Sequence, residues 1–188
     1  MRKPLPPLLF FTDPERAPDP VAVAARLPRG AGVVFRGFGL PGAEAMARDL
    51  AGVANEARLD LLIGLDADLA ERCGAQGVHL PERALGEGPA LRARHPDWIL
   101  TGAAHGEQGL EAARAAGLDA AVLSPVFTSA SPSAGEALGV DRFSALAAAA
   151  ALPVYGLGGI TGLTAPQLRS SGAVGLAAVE GVLAAFGP

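Results

Sequence analysis

The chain has 188 residues, 50% of them hydrophobic, and a formal net charge of −4. That size and apolar content suit one domain with a sizeable core, and the acidic balance leaves no basic patch to grip nucleic acid. Lys3 is the only lysine and lies in a Pro-rich N-terminal stretch, which argues against Schiff-base chemistry; Cys73 is the only cysteine, which excludes an intramolecular disulfide and points to a reducing cytoplasm.

Taken in chain order, β-like runs alternate with Ala/Arg/Glu/Leu-rich helical runs. The expected strands are Leu8–Thr12, Gly32–Arg36, Asp60–Ile63, Gly77–Leu80, Trp98–Ala103, Ala120–Ser124, Pro153–Leu157 and Gly175–Ala178. Helical segments are expected near 19–27, 42–57, 66–73, 88–94, 106–116, 141–150, 164–171 and 180–186. Strand–helix alternation implies right-handed crossovers and a parallel sheet, and eight units imply closure into a (β/α)8 TIM barrel. Such barrels usually need about 200–250 residues, so this one must be short-looped.

We expect a single domain over 1–188, with 1–7 as a flexible tail. The first seven residues are charged but lead into no signal-peptide apolar run, and no stretch has the ~18 uninterrupted apolar residues of a membrane helix. Cys73-Gly74, Ala116-Gly117 and Ser171-Gly172 each put glycine where a helix C-cap needs positive φ before a strand begins. The longest irregular segment, Pro125–Gly139, follows the sixth strand and reads as a working loop.

The strongest single motif is the run from Pro153 to Ile160, an apolar strand ending in Gly158-Gly159. Without Cβ atoms, this pair lets backbone N–H groups close on an anion such as phosphate. Loops after the seventh and eighth strands are where these barrels most often hold one. The same pair could instead serve tight strand–loop packing.

Around this motif stand the other site candidates. Arg36 ends the second strand pointing into the mouth and needs an anion partner, either a ligand or an internal carboxylate. His79 ends the fourth strand and reads first as a packed histidine with a backbone hydrogen bond. His105, after the fifth strand, is the candidate general acid or base. Ser129 and Ser131 could donate to phosphate or satisfy their own loop. Glu180, in the first turn of the last helix, must either swing to solvent or compete for the anion site. His95 falls on the opposite face and is expected in solvent.

Thr12-Asp13, Gly77-Val78-His79-Leu80, Ala104-His105, Ser124-Pro125-Val126-Phe127 with Ser129 and Ser131, and Gly158-Gly159-Ile160 occur in an order and spacing that resembles the thiamine phosphate synthase / TenI family. The similarity runs from about residue 8 to 182. It implies a (β/α)8 barrel for phosphorylated thiazole and pyrimidine ligands, and a homodimer as a family-level expectation. The synthases couple hydroxymethylpyrimidine diphosphate to thiazole phosphate with Mg²⁺ assisting pyrophosphate departure. TenI proteins instead tautomerise a thiazole carboxylate phosphate.

Carried over by position, the resemblance places Arg36 at the family's strand-two arginine. The glutamine before it becomes Val34, and the lysine after it becomes Phe38. The Mg²⁺-binding aspartates fall on Leu65 and Ala84, so no metal ligand is assigned. The serine after strand five falls on Ala103. The loop lysine falls on Pro132, the TenI histidine on Pro125, and the phosphate-site serine on Glu180. Asp66, beside the lost ligand, reads as a helix cap. The resemblance therefore implies a thiamine biosynthesis protein of the synthase type, short of metal and diphosphate residues. The alternative is a TenI-like thiazole phosphate-binding protein or tautomerase, or a non-catalytic binding paralogue.

Overall fold

The computed structural model describes residues 3–37, 39–129 and 135–187. Eight strands form one closed parallel barrel, each strand hydrogen-bonded to the next and the eighth to the first. They are β1 (Leu8–Phe11), β2 (Gly32–Phe35), β3 (Asp60–Gly64), β4 (Gly77–Leu80), β5 (Ile99–Ala104), β6 (Ala120–Leu123), β7 (Val154–Gly156) and β8 (Gly175–Ala178). The helices are α1 (Pro20–Ala24), α2 (Ala43–Ala57), α3 (Ala67–Cys73), α4 (Gly88–Arg94), α5 (Glu107–Ala115), α6 (Gly139–Ala149) and α7 (Glu180–Phe186). Between β7 and β8 there is only a 3₁₀ turn, Ala165–Leu168, where the sequence suggests a helix over 164–171. Pro166 suits the first turn of such an element, and the positive-φ Gly172 ends its extension soon after.

Side chains alternate along each strand, and the alternation sorts two cores. Leu9, Phe11, Val34, Leu62, Ile99, Val122, Tyr155 and Ala177 fill the barrel interior. Phe10, Val33, Leu61, Ile63, Val78, Leu100 and Leu123 point outward under the helices. The interior strand runs read as near-continuous apolar sequence because both faces of a parallel sheet are covered.

Leu5, Pro6 and Pro7, part of the stretch expected to be a flexible tail, pack at the N-terminal end of the barrel. Leu5 packs on the interior core, Pro6 is buried, and the Tyr155 hydroxyl donates to the Pro6 carbonyl at 2.7 Å. Pro7 accepts from Leu176 N–H at 3.1 Å. His95, expected in solvent on this face, is instead mostly covered. Its ring stacks on Trp98 at 3.6 Å, and Nε2 lies 2.7 Å from Glu71 Oε1. The three predicted junction glycines, Gly74, Gly117 and Gly172, all have φ between 69° and 80°.

A cavity lies at the mouth on the opposite, C-terminal end of the strands. Extending the inward register by two residues past Val34 and Val122 carries Arg36 and Ser124 to that mouth, and His79 stands at the same level on β4.

Candidate active site

A cavity of about 270 Å³ opens at the mouth. Its lining includes Arg36, His79, His105, Ser129, Gly158, Gly159 and Glu180, which the sequence analysis singled out from six separate places in the chain. Ser131, Phe38 and Pro132 lie outside the described residues. The lining also contains Arg16, which sequence reasoning missed.

Gly158 and Gly159 have φ of 98° and 64°. A Cβ on Gly158 would stand 2.8 Å from Pro125 Cα, and one on Gly159 would stand 2.5 Å from the Thr128 carbonyl oxygen. The packing role of the pair is therefore real: it lets the loop after β6 lie flat on the loop after β7. Two bonds tie these loops together, Val126 N–H to Leu157 O at 2.9 Å and Phe127 N–H to Gly158 O at 3.0 Å. The anion-binding role is compatible with this geometry. Among the described residues neither glycine N–H has a protein acceptor, while the Gly159 carbonyl accepts from the Thr164 hydroxyl at 2.7 Å.

Arg36 resolves toward an internal partner. Its Nε donates to the Thr12 carbonyl at 2.6 Å, and a terminal nitrogen lies 3.3 Å from Asp13 Oδ2. The guanidinium also lies 5.7 Å from the Phe11 ring centre. Burial pulls its pKa down, and the Asp13 charge opposes that shift. Asp13 in turn accepts from Arg16 at 2.8 Å. That hydrogen bond, with help from both arginines' charge, holds the carboxyl at a pKa of about 2.

Arg16 reaches across the closure of the barrel. One terminal nitrogen pairs with Asp13, and the other donates to Glu180 Oε1 at 3.1 Å. Glu180 is exposed yet tied back to the mouth by this bond to Arg16. The missed signal was Asp13-x-x-Arg16, an acid and a base three residues apart directly after a strand.

The two histidines differ in kind. His79 is buried, with Nδ1 3.0 Å from the Thr101 hydroxyl, so its partner is a side chain where a backbone bond was expected. Phe11 meets its ring edge-on at 5.0 Å. Burial, followed by the nearby Arg36 charge, pushes its pKa down to about 3, which keeps it neutral. His105 is exposed at the rim, and its Nδ1 lies 2.9 Å from the Ser124 carbonyl. A carbonyl can only accept, so that bond puts the proton on Nδ1 and leaves Nε2 as the basic nitrogen of the neutral ring. The His105 backbone N–H is held by Glu82 Oε2 at 3.0 Å.

The positions assigned to Mg²⁺ ligands do not suit a hard cation, which needs several oxygen donors. Leu65 offers an alkyl side chain, and Ala84 is a buried methyl in the 3₁₀ turn Glu82–Glu87. Asp66 uses Oδ1 to cap α3, accepting from Leu69 N–H at 2.8 Å. Among the described residues there is no cluster of three His, Cys, Asp or Glu side chains that could hold a metal.

Comparison with known proteins follows the same outline. The family model described as thiamine monophosphate synthase matches residues 24–182. A thiamine-phosphate synthase of Bacillus velezensis is 30% identical over 179 residues, covering 90% of this chain and 80% of that protein. A Geobacter sulfurreducens protein named for the same enzyme is 34% identical over 125 residues. The bifunctional thiamine biosynthesis protein ThiM/ThiE of Symbiobacterium thermophilum is 37% identical over 129 residues. The match spans only 59% of the Geobacter protein's length and 27% of the Symbiobacterium protein's. A thiamine phosphate pyrophosphorylase structure from Pyrococcus furiosus superposes with a TM-score of 0.81 at 18% identity, over 98% of this chain and 89% of that one, which is a likeness of fold. A family match over most of the barrel, joined to a relative aligned along nine-tenths of the chain, means that this protein belongs to the thiamine monophosphate synthase family.

Proposed function

We propose that this chain serves thiamine biosynthesis by binding a phosphorylated thiazole at the barrel mouth, without Mg²⁺-assisted release of pyrophosphate. The carrying observation is the contrast within the mouth. Gly158 and Gly159 line the cavity with backbone N–H groups that have no acceptor among the described residues, while the positions for metal carboxylates hold Leu65 and buried Ala84. Coupling a pyrimidine diphosphate requires positive charge on the developing pyrophosphate. The cations lining the cavity, Arg16 and Arg36, are both paired with Asp13.

The test is direct. Purified protein is titrated calorimetrically with thiazole phosphate, then assayed with hydroxymethylpyrimidine diphosphate, thiazole phosphate and Mg²⁺. Binding without thiamine phosphate formation is the expected result. Turnover at a rate typical of enzymes, ~1 s⁻¹ or faster, sinks the proposal.

A second reading rests on His105. Its Nδ1 bond to Ser124 O leaves Nε2 as a base at the rim of the cavity, suited to moving a proton on a bound ligand. In that reading the chain is a tautomerase that has moved its base from the loop after β6, where Pro125 stands, to the loop after β5. His105→Gln would then abolish proton exchange into bound thiazole carboxylate phosphate, while leaving affinity within about twofold; unchanged exchange removes His105 from that role. A cytoplasmic location and a homodimer belong to the same family-level reading. Among the described residues no helix is long and apolar enough to cross a membrane.

A further inference from the structure

The cavity holds two arginines in different states. Arg36 is committed through Nε to Thr12 O and through a terminal nitrogen to Asp13, and its side chain is 24% exposed. Arg16 shares Asp13 through one nitrogen, and its other terminal nitrogen bonds Glu180, whose side chain is 54% exposed. These two ion pairs are unequal. The Asp13 carboxylate is 17% exposed and accepts from Arg16 at 2.8 Å. The Glu180 contact is longer, at 3.1 Å, and solvated. Exposed pairs of that kind contribute little, so Glu180 is the partner that an arriving dianion can replace.

We propose that Arg16 is the cation that binds the ligand's phosphate and that Glu180 is its resident competitor, a carboxylate the phosphate must displace. This rests on the reading that the cavity receives a phosphorylated ligand. A phosphate seated against the Gly158 and Gly159 N–H groups would then meet the nitrogen that Glu180 now holds, since all four residues line the same cavity. Asp13 stays in place and keeps the Arg16 guanidinium aimed at the mouth. Glu180 thereby becomes a specificity residue. It sets an affinity threshold that a singly charged or uncharged thiazole does not overcome, and that a phosphate dianion passes by making more bonds to Arg16 than a single carboxylate oxygen does.

The experiment measures the affinity of inorganic phosphate and of thiazole phosphate for the full chain, its Glu180→Gln and Glu180→Ser variants, Arg16→Gln, and the Arg16→Gln/Glu180→Gln double variant. Glu180 is exposed, so its substitution leaves the fold intact; melting curves check each variant. Glu180→Gln and Glu180→Ser are expected to tighten both probes about three- to tenfold, and the gain is expected to vanish in the Arg16→Gln background. Equal affinity of wild type and Glu180→Gln for thiazole phosphate overturns the inference while leaving the proposed ligand standing. A gain that survives Arg16→Gln also overturns it, because simple repulsion would then explain Glu180. If Glu180→Gln tightens inorganic phosphate but thiazole phosphate binds no better than inorganic phosphate, the competitor stands and the proposed thiazole ligand falls. Should neither probe bind any variant, both fall.

Discussion

The two halves of the barrel mouth have gone different ways. Where β7, β8 and β1 meet, the chain has kept backbone donors at Gly158 and Gly159 and built a charge network of Asp13, Arg16, Arg36 and Glu180. Where β3 and β4 end, the corresponding loops present Leu65 and Ala84, and the nearest acid is spent as a helix cap. The fold supports both halves equally, because strand register fixes backbone position whatever side chain follows. Ligand chemistry depends on those side chains, so two halves of one mouth can offer a ligand different groups.

The comparison breaks most severely at the glycine pair. Gly159→Ala forces a Cβ to 2.5 Å from a backbone oxygen at a φ of 64°, and nothing flexible stands in the way to yield. A loss of about 3 kcal/mol or more is expected from clash and strain together, read as a shift in urea midpoint at unchanged slope. A loss under about 1 kcal/mol would show that the loops after β6 and β7 are not locked together as described. The same substitution should remove phosphate binding, since packing and donor role share one backbone.

Asp13→Asn comes next. Two arginines lose their shared carboxylate, and about 2 kcal/mol of stability should go with it near neutral pH. The acid side of the profile identifies the residue. A carboxyl with a folded pKa near 2 and a usual value of 3.8 contributes its full stability above about 4 and loses it as pH falls toward 2. The Asn variant should lack that final acid decline.

How much of this was legible in the sequence differs between the same regions. The eight strands and their order were visible because each is a short apolar run bounded by glycine or proline and covered on both faces. Gly158-Gly159 stood out because a glycine pair ending such a run permits positive φ and close loop packing, both of which the structure has. The Arg16–Glu180 contact was not, because its partners lie 164 residues apart and only closure of β1 on β8 brings them together. His95 was misread for a related reason: Trp98 and Glu71, which cover it, are polar or amphipathic neighbours with no periodic signature. The N-terminal residues carried no strand pattern, yet Pro6 accepts from the buried Tyr155 hydroxyl at the N-terminal end of the barrel.

Near neutral pH His79 gives a smaller effect, and its acid slope tests how dry the boundary between the two halves is. Its folded pKa of about 3 lies below the usual 6.5, so the unfolded chain takes up a proton first as the solution is acidified. Stability should therefore fall as pH drops from about 6.5 toward 3, by at most ~1.4 kcal/mol per pH unit from this group. His79→Gln should flatten that slope between pH 6 and 4. An imidazole resonance that titrates near pH 6.5 in the wild type would mean that water reaches Nδ1 and that the Thr101 contact does not seal the site.

The smallest effect concerns Leu65 and has the opposite sign. Its φ of 65° lies in the left-handed region, where a branched side chain costs roughly 1–2 kcal/mol and asparagine costs less. Leu65 is half-buried and belongs to neither hydrophobic core, so its side chain returns little of that cost. The backbone there is held by the bond from Leu65 N–H to His79 O at 2.9 Å, which no substitution disturbs. Leu65→Asn should accordingly raise stability by about 0.5–1 kcal/mol in urea unfolding. A loss instead would mean that Leu65 packs a ligand-free mouth in a way that matters, and that the β3–β4 half has been refilled with apolar structure. A gain would mean that the loop holds a backbone shape better suited to a polar residue than to leucine.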